Sequence, residues 1–151
     1  MPHLGIGNAE LIASSVLGAY LVWISIRDLH SLRIPDRASL PLLGMGVLLA
    51  TLPGGIGLQT ALIGTVAGYL SFAAIGEWFF RRTGQDGLGL GDAKLLAAAG
   101  AWLGWRDLPL LVAMAAIAAL FYGLLTRQHR LAFGPWLSAA FWLLWLRHIA
   151  G

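Results

Sequence analysis

Two of the seven acidic residues in this sequence, Asp28 and Asp92, stand where carboxylates could do chemistry. Asp28 follows an apolar run that begins near Ala9, and Asp92 precedes one that reaches Trp105. An acid at the end of an apolar helix is costly unless it faces water or a partner, so it is a candidate for function. Two carboxyl groups that share a site do not readily both ionise, which suits them to act as general acid and general base. The spacing by itself leaves open whether they form such a pair or are buried or loop-capping residues.

Other residue types that carry chemistry are scarce. Cysteine is absent, which removes thiol nucleophiles and cysteine-bound zinc, and the four histidines fall near the ends of different segments. We therefore predict neither a metal ion nor a cofactor. The ten Lys and Arg residues lie between apolar runs and form no patch, so the basic balance does not predict a nucleic-acid partner.

The composition predicts that these acids are held by membrane helices. The chain is 58% hydrophobic and 11% charged, whereas about a quarter of the residues in a soluble domain are charged. No signal-peptide pattern precedes the first apolar run, which we expect to remain as a helix. We predict a single all-α domain over residues 1–151, a polytopic membrane protein in the lipid bilayer. Its six predicted transmembrane helices are Ala9 to Ile26, Ala38 to Leu52, Gly57 to Phe80, Ala93 to Trp105, Leu108 to Thr126 and Ala132 to Ile149.

The positive charges predict the orientation of these helices. When the loops are assigned alternately to the two sides, only Arg106 and Arg147 fall on one side, and the other eight Lys and Arg residues fall on the opposite side. Cytoplasmic loops carry the excess of Lys and Arg, so both termini should be external. Asp28 and Asp92 should then both lie at the cytoplasmic side.

Glycine marks several predicted features. Pro53-Gly54-Gly55 should form a tight turn that joins the second and third helices into a hairpin. The stretch from Gly87 to Gly91 should be a flexible loop that can approach a substrate closely, although a plain linker is also consistent with it. Gly64 and Gly68, and likewise Gly100 and Gly104, have the GxxxG spacing that allows close helix packing. Glycine is also common in membrane helices generally, so the pattern leaves both interpretations open.

Three motifs resemble those of the type IV prepilin peptidases. TGQDGLGLGDAKLLAAAGAWLGW, from Thr83 to Trp105, resembles the family's GxGD segment, which runs into the fourth helix. DLHSLRIPD, from Asp28 to Asp36, resembles its first catalytic segment, and FGPW, from Phe133 to Trp136, resembles its FGP motif. The three motifs occur in the family's order and cover most of the chain.

The resemblance implies that Asp28 and Asp92 are catalytic aspartates. It further implies cleavage of a prepilin or pseudopilin leader peptide, after a glycine, at the cytoplasmic side of a prokaryotic inner membrane. Only a short segment precedes the first predicted helix, and cysteine is absent. In both respects the chain resembles short family members that lack the N-terminal domain associated with methylation, so a peptidase alone is expected.

Five further residues are candidates for ordering the loop or meeting the substrate. They are Asp36, Asp86, Gly89, Gly91 and Lys94. For Asp36 we favour a cap on the second helix. Asp86 is equally consistent with a solvated loop residue, and Lys94 with a cation at a helix end that reaches toward the membrane surface. We expect Glu77 to pair with Arg81 at i+4.

Two alternative functions stay open at this point. The chain could be a small non-enzymatic membrane protein or a transporter subunit whose acids bind protons or cations, although the six predicted helices show no two-half symmetry. It could also be a GxGD protease of the presenilin or signal peptide peptidase type. Those proteases share only the GxGD element with this chain.

Overall fold

The computed structural model describes residues 8–31, 36–84, 90–127 and 133–150. These residues form six α-helices and one short 3-10 turn, Trp105–Asp107. The helices are α1 (Asn8–Ser31), α2 (Asp36–Ala50), α3 (Leu58–Thr83), α4 (Leu90–Leu103), α5 (Leu108–Thr126) and α6 (Gly134–Ala150). The predicted all-α class is thus confirmed.

Two predicted helix boundaries are wrong in a way that matters for the acids. The first helix continues past Ile26 to Ser31, and the fourth begins at Leu90 and not at Ala93. Asp28 and Asp92 are therefore helical residues and not loop residues. The predicted turn at 53–55 is confirmed: Gly55 N–H donates to the Leu52 carbonyl over 2.9 Å, and Gly54 has a φ of 84°.

Helix α4 is the centre of the bundle. Every side chain from Leu95 to Leu103 is buried, because α2, α3 and α6 pack around it. Apolar residues line all its faces, which is the pattern of a helix buried on every side. Its 14 residues rise about 21 Å. Gly104, with a φ of 87°, ends the helix because that backbone conformation is unfavourable for other residues.

Glycine determines how closely α3 approaches α4. A methyl group added at Gly64 would collide with the backbone of Gly100, and one added at Gly68 would lie 2.7 Å from the Leu96 carbonyl oxygen. The spacing of these glycines is therefore a packing feature. The pairing of 64 with 100 and of 68 with 96 also shows that the two helices run antiparallel.

An aromatic cluster joins α4 and α6 to α1 and α2. The ring centroids of Trp102 and Trp145 are 5.1 Å apart, and the two planes are nearly perpendicular. The indole N–H of Trp102 donates to the Leu42 carbonyl over 2.8 Å, and that of Trp145 donates to the Ser14 hydroxyl over 2.9 Å. Both buried indoles thus have a hydrogen-bond partner, as buried polar groups need.

The exterior of the bundle is apolar. Three of the described helices are long and apolar enough to cross a bilayer: Glu10–His30, Leu58–Thr83 and Trp105–Thr126. Among their outward side chains, Leu62, Val66, Ile117 and Leu124 are between 47% and 71% exposed. Such a surface is stable in lipid and not in water, so the chain is a membrane protein.

Consecutive helices alternate in direction. The last turn of α1 meets the first residue of α6. The end of α5 also meets the first turn of α6, because the ring centroids of Tyr122 and Trp136 are 5.2 Å apart. We call the end of the bundle that carries Asp28 and Asp92 the aspartate end. Among the described side chains it holds five of the seven Lys and Arg residues: Arg27, Arg81, Arg82, Lys94 and Arg127.

Candidate active site

Asp28 continues the buried stripe of α1. Leu17, Leu21, Ile24 and Asp28 follow at intervals of four, three and four residues, so they share one helix face. This face packs against α6, which leaves Asp28 only 5% exposed. The apolar periodicity of α1 thus directs a carboxylate into the interior of the bundle.

The backbone of α6 provides the partner of Asp28. The N–H of Gly134 donates to Asp28 Oδ2 over 2.9 Å, across 106 residues of sequence. Gly134 is the first residue of its helix, where backbone N–H groups have no acceptor within the helix. The first turn of a helix also carries partial positive charge, which favours a carboxylate there.

Asp92 lies in the first turn of α4 and is half-buried. The negative charge of Asp28 acts on the Asp92 carboxyl, so the two groups are within electrostatic reach of each other although 64 positions separate them in the chain. The fold therefore brings together the two acids that the sequence singles out. Since one is nearly enclosed and the other is partly exposed, the pair lies at the rim of the packed interior.

Such a pair can carry out general acid and base catalysis. One carboxylate can take a proton from water while the other, protonated, donates to a carbonyl oxygen. Among the described residues, no three His, Asp or Glu side chains are grouped as they would be around a metal ion.

The secondary candidates fall in three groups. Lys94 and Gly91 are half-buried in the first turns of α4, beside Asp92. Asp36 is the first residue of α2 and its side chain lies outside the described residues, so the cap expected there stays a prediction. Gly89 and Asp86 lie outside the described residues altogether.

The ion pair predicted between Glu77 and Arg81 is present. It lies on the exposed surface of α3, with 2.8 Å between Glu77 Oε1 and Arg81 Nε.

A cavity of about 230 Å³ lies at the end of the bundle opposite to the aspartate end. It is lined by Glu10, Trp102, Trp145 and His148, among others. Glu10 is about 27 Å along α1 from Asp28, from their separation of 18 residues in one helix. The cavity is consequently separate from the carboxylate pair.

The hydrogen bond from Gly134 to Asp28 is a feature of the site that the sequence does not predict. The FGPW motif predicts no contact by itself. Its detectable signal is the Gly-Pro step before an apolar helical run, since proline has no N–H and favours the first turn of a helix. A helix start predicted at that step would have indicated a free N–H at Gly134, although not its partner.

Fold and site together define a multi-pass all-α membrane protein with two carboxyl groups at the same end of the bundle. The model of the type IV leader peptidase family matches residues 15–124, which include both acids. The chain belongs to this family.

Named relatives agree with this assignment. The chain is 41% identical over 144 residues to a prepilin leader peptidase/N-methyltransferase of Aeromonas hydrophila, covering 89% of this chain and 49% of that protein. It is 42% identical over 143 residues to the protein of the same name from Pectobacterium carotovorum subsp. carotovorum, covering 89% and 51%. It is 38% identical over 127 residues to that of Escherichia coli (strain K12), covering 79% and 56%. The chain thus spans about half the length of these relatives. No solved structure matches it significantly.

Proposed function

We propose that this chain is a membrane aspartyl endopeptidase that cleaves the leader peptide of prepilins or prepseudopilins, with Asp28 and Asp92 as its catalytic pair. The observation that carries the proposal is that the fold holds these two carboxyl groups at the same end of the bundle in a member of the type IV leader peptidase family. The names of the relatives support prepilins as the substrate class. Cleavage after a glycine follows from the motif resemblance.

The reaction needs one ionised and one protonated carboxyl group. The ionised group takes a proton from water, and the resulting hydroxide attacks the carbonyl carbon of the scissile peptide bond. The protonated group gives its proton to the carbonyl oxygen. When the tetrahedral intermediate collapses, the C–N bond breaks, the amine leaves with the proton that water had given up, and the acid regains its own.

Charge supports a cytoplasmic active site in the inner membrane of a prokaryote. The aspartate end carries most of the described Lys and Arg side chains, and cytoplasmic ends of membrane helices carry this excess. Both termini are then external. A leader peptide on the cytoplasmic side of its own apolar helix would meet the pair at that end of the bundle.

The test is cleavage of a purified prepilin by purified enzyme in detergent or liposomes. Asp28→Asn and Asp92→Asn should each lower the rate by at least about 1,000-fold, because an amide can act neither as the base nor as the acid. The matched control is Asp107→Asn, the same change in the 3-10 turn between α4 and α5. This variant should cleave as the wild type does.

Full cleavage by either Asn variant would remove that residue from the pair. If the wild type inserts and folds but cleaves neither prepilins nor prepseudopilins, the peptidase proposal fails. Proton or cation binding at the pair would then become the better account of its two acids.

A further inference from the structure

The two carboxyl groups have unequal surroundings. Asp28 is 5% exposed and accepts a hydrogen bond from a backbone N–H. Asp92 is half-buried in the first turn of α4. A hydrogen bond to a charged group is worth about 1.5–3 kcal/mol, so this donor favours the ionised form of Asp28, whereas its burial disfavours that form.

The Gly134 N–H is held in place by its helix. The Leu137 N–H donates to the Phe133 carbonyl over 3.0 Å, which closes the first turn of α6. The Phe133 ring packs against Phe72 of α3, with 6.1 Å between centroids. Pro135 follows with no N–H of its own. The Gly134 donor is therefore fixed by neighbours on both sides.

Other charged groups lie on the helices that meet at the aspartate end. On α1, Arg27 is exposed and lies over the Trp23 ring at 5.6 Å, and His30 is exposed in the last turn. Helix α4 contributes Asp92 and the half-buried Lys94. Helix α6 has no ionisable side chain before Arg147. Helix α2 begins with Asp36 and Arg37, whose side chains are outside the described residues. The last turns of α3 carry three exposed charged side chains, Glu77, Arg81 and Arg82.

We infer that Gly134 is a positioning residue whose backbone N–H keeps the negative charge of the pair on Asp28, so that Asp28 is the general base and Asp92 the general acid. This inference rests on the proposed peptidase function. The N–H occupies Oδ2 of Asp28, which leaves Oδ1 to take the proton from water. Asp92 then carries the proton that is given to the substrate carbonyl.

The experiment replaces one peptide bond of the chain by an ester. Glycolic acid at position 134, introduced by cell-free nonsense suppression, removes the N–H and, like glycine, carries no side chain. The matched control is an ester at Leu137, which removes the N–H that donates to Phe133 within the same turn. Both proteins are assayed for prepilin cleavage as a function of pH.

Loss of the Gly134 donor disfavours the ionised base, so the base should take up its proton at higher pH. In the pH–rate profile of the 134 ester, we expect the low-pH limb to move up by about one pH unit. The low-pH limb of the Leu137 ester should stay where it is in the wild type. An unmoved limb in the 134 ester, or an equal shift in both esters, would overturn the inference. A wild type that does not cleave would instead count against the proposed function.

A second variant applies if the 134 ester does not fold. Phe133→Ala keeps every N–H but removes the ring that anchors the turn against Phe72. Its acid limb should move in the same direction as that of the 134 ester. A uniform loss of rate in Phe133→Ala with an unmoved limb would contradict a role in charge placement.

Discussion

Asp28 has an ionisable carboxyl group and is nearly completely buried in an apolar bundle, a combination that is unusual in proteins. Burial of an unpaired carboxylate is strongly unfavourable. The Gly134 N–H and the partial charge of the α6 start offset part of this cost. The rest depends on the shared site with Asp92, where one of the two groups can keep a proton.

The shared site predicts a bell-shaped pH profile for prepilin cleavage. At low pH the base of the pair gains a proton and activity falls, and at high pH the pair loses its last shared proton and activity falls again. Both limbs belong to the pair. Initial rates between pH 4 and about pH 10 would measure them. A wild-type profile with only one limb over this range would contradict the sharing of a proton.

Two buried serines should respond oppositely to removal of their hydroxyl groups. Ser138 is 3% exposed, and its hydroxyl has no hydrogen-bond partner among the described residues. Ser14 is 8% exposed and accepts the Trp145 indole N–H. Ser138→Ala should raise the free energy of unfolding by up to about 1 kcal/mol, and Ser14→Ala should lower it by about 1–3 kcal/mol.

Thermal and denaturant unfolding in detergent would measure both serine variants. Equal destabilisation by the two substitutions would show that the Ser138 hydroxyl is hydrogen-bonded after all, for example to a buried water.

At the scale of elements, α4 decides where Asp92 lies. Because the helix is enclosed by α2, α3 and α6, its register against them fixes the position of its first turn. The closest restraint is the contact between Gly64 of α3 and Gly100 of α4. A change that separates these two helices should therefore affect both the stability of the bundle and the geometry of the acidic pair.

Alanine at Gly64 or Gly100 should destabilise the protein by about 1–3 kcal/mol each, because the added methyl group meets backbone that cannot move aside. The matched control is Gly44→Ala in α2, where nothing lies within 4 Å of the added atom. That variant should be neutral or slightly more stable, since alanine favours helix. Unfolding in detergent measures all three. Equal stability of Gly100→Ala and Gly44→Ala would contradict close packing of α3 on α4.

At the scale of the whole molecule, positive charge is concentrated at the aspartate end, and the lateral surface is apolar. Only Arg106 and Arg147 among the described Lys and Arg side chains lie near the opposite end. This asymmetry is the physical basis for the proposed orientation, since charge in short loops largely sets how a membrane protein inserts.

Topology reporters test that orientation. Fusions after Arg37, Thr83 and Gln128 should report the cytoplasm, and fusions after Gly55, Asp107 and Gly151 should report the external side. An external signal at Thr83 would move the acidic pair away from a cytoplasmic leader peptide. The proposed mechanism would then have to be abandoned.

Much of this architecture could be predicted from the sequence, because helix formation in a membrane depends on local apolar runs. Those runs predict the all-α class, the turn at Pro53 and the concentration of Lys and Arg at one end. Motif resemblance singles out Asp28 and Asp92. These features depend on composition and on spacing over a few residues, which a single sequence displays directly.

Only the tertiary structure brings distant parts of the chain together. No local pattern indicates that the α6 start supplies an N–H to Asp28, or that Gly64 meets Gly100, because such contacts depend on how helices are arranged around α4. Helix ends were also predicted incorrectly at Asp28 and Asp92. A charged residue looks like a stop signal in sequence, but packing against α6 and the Gly134 N–H offset the cost of keeping Asp28 inside a helix.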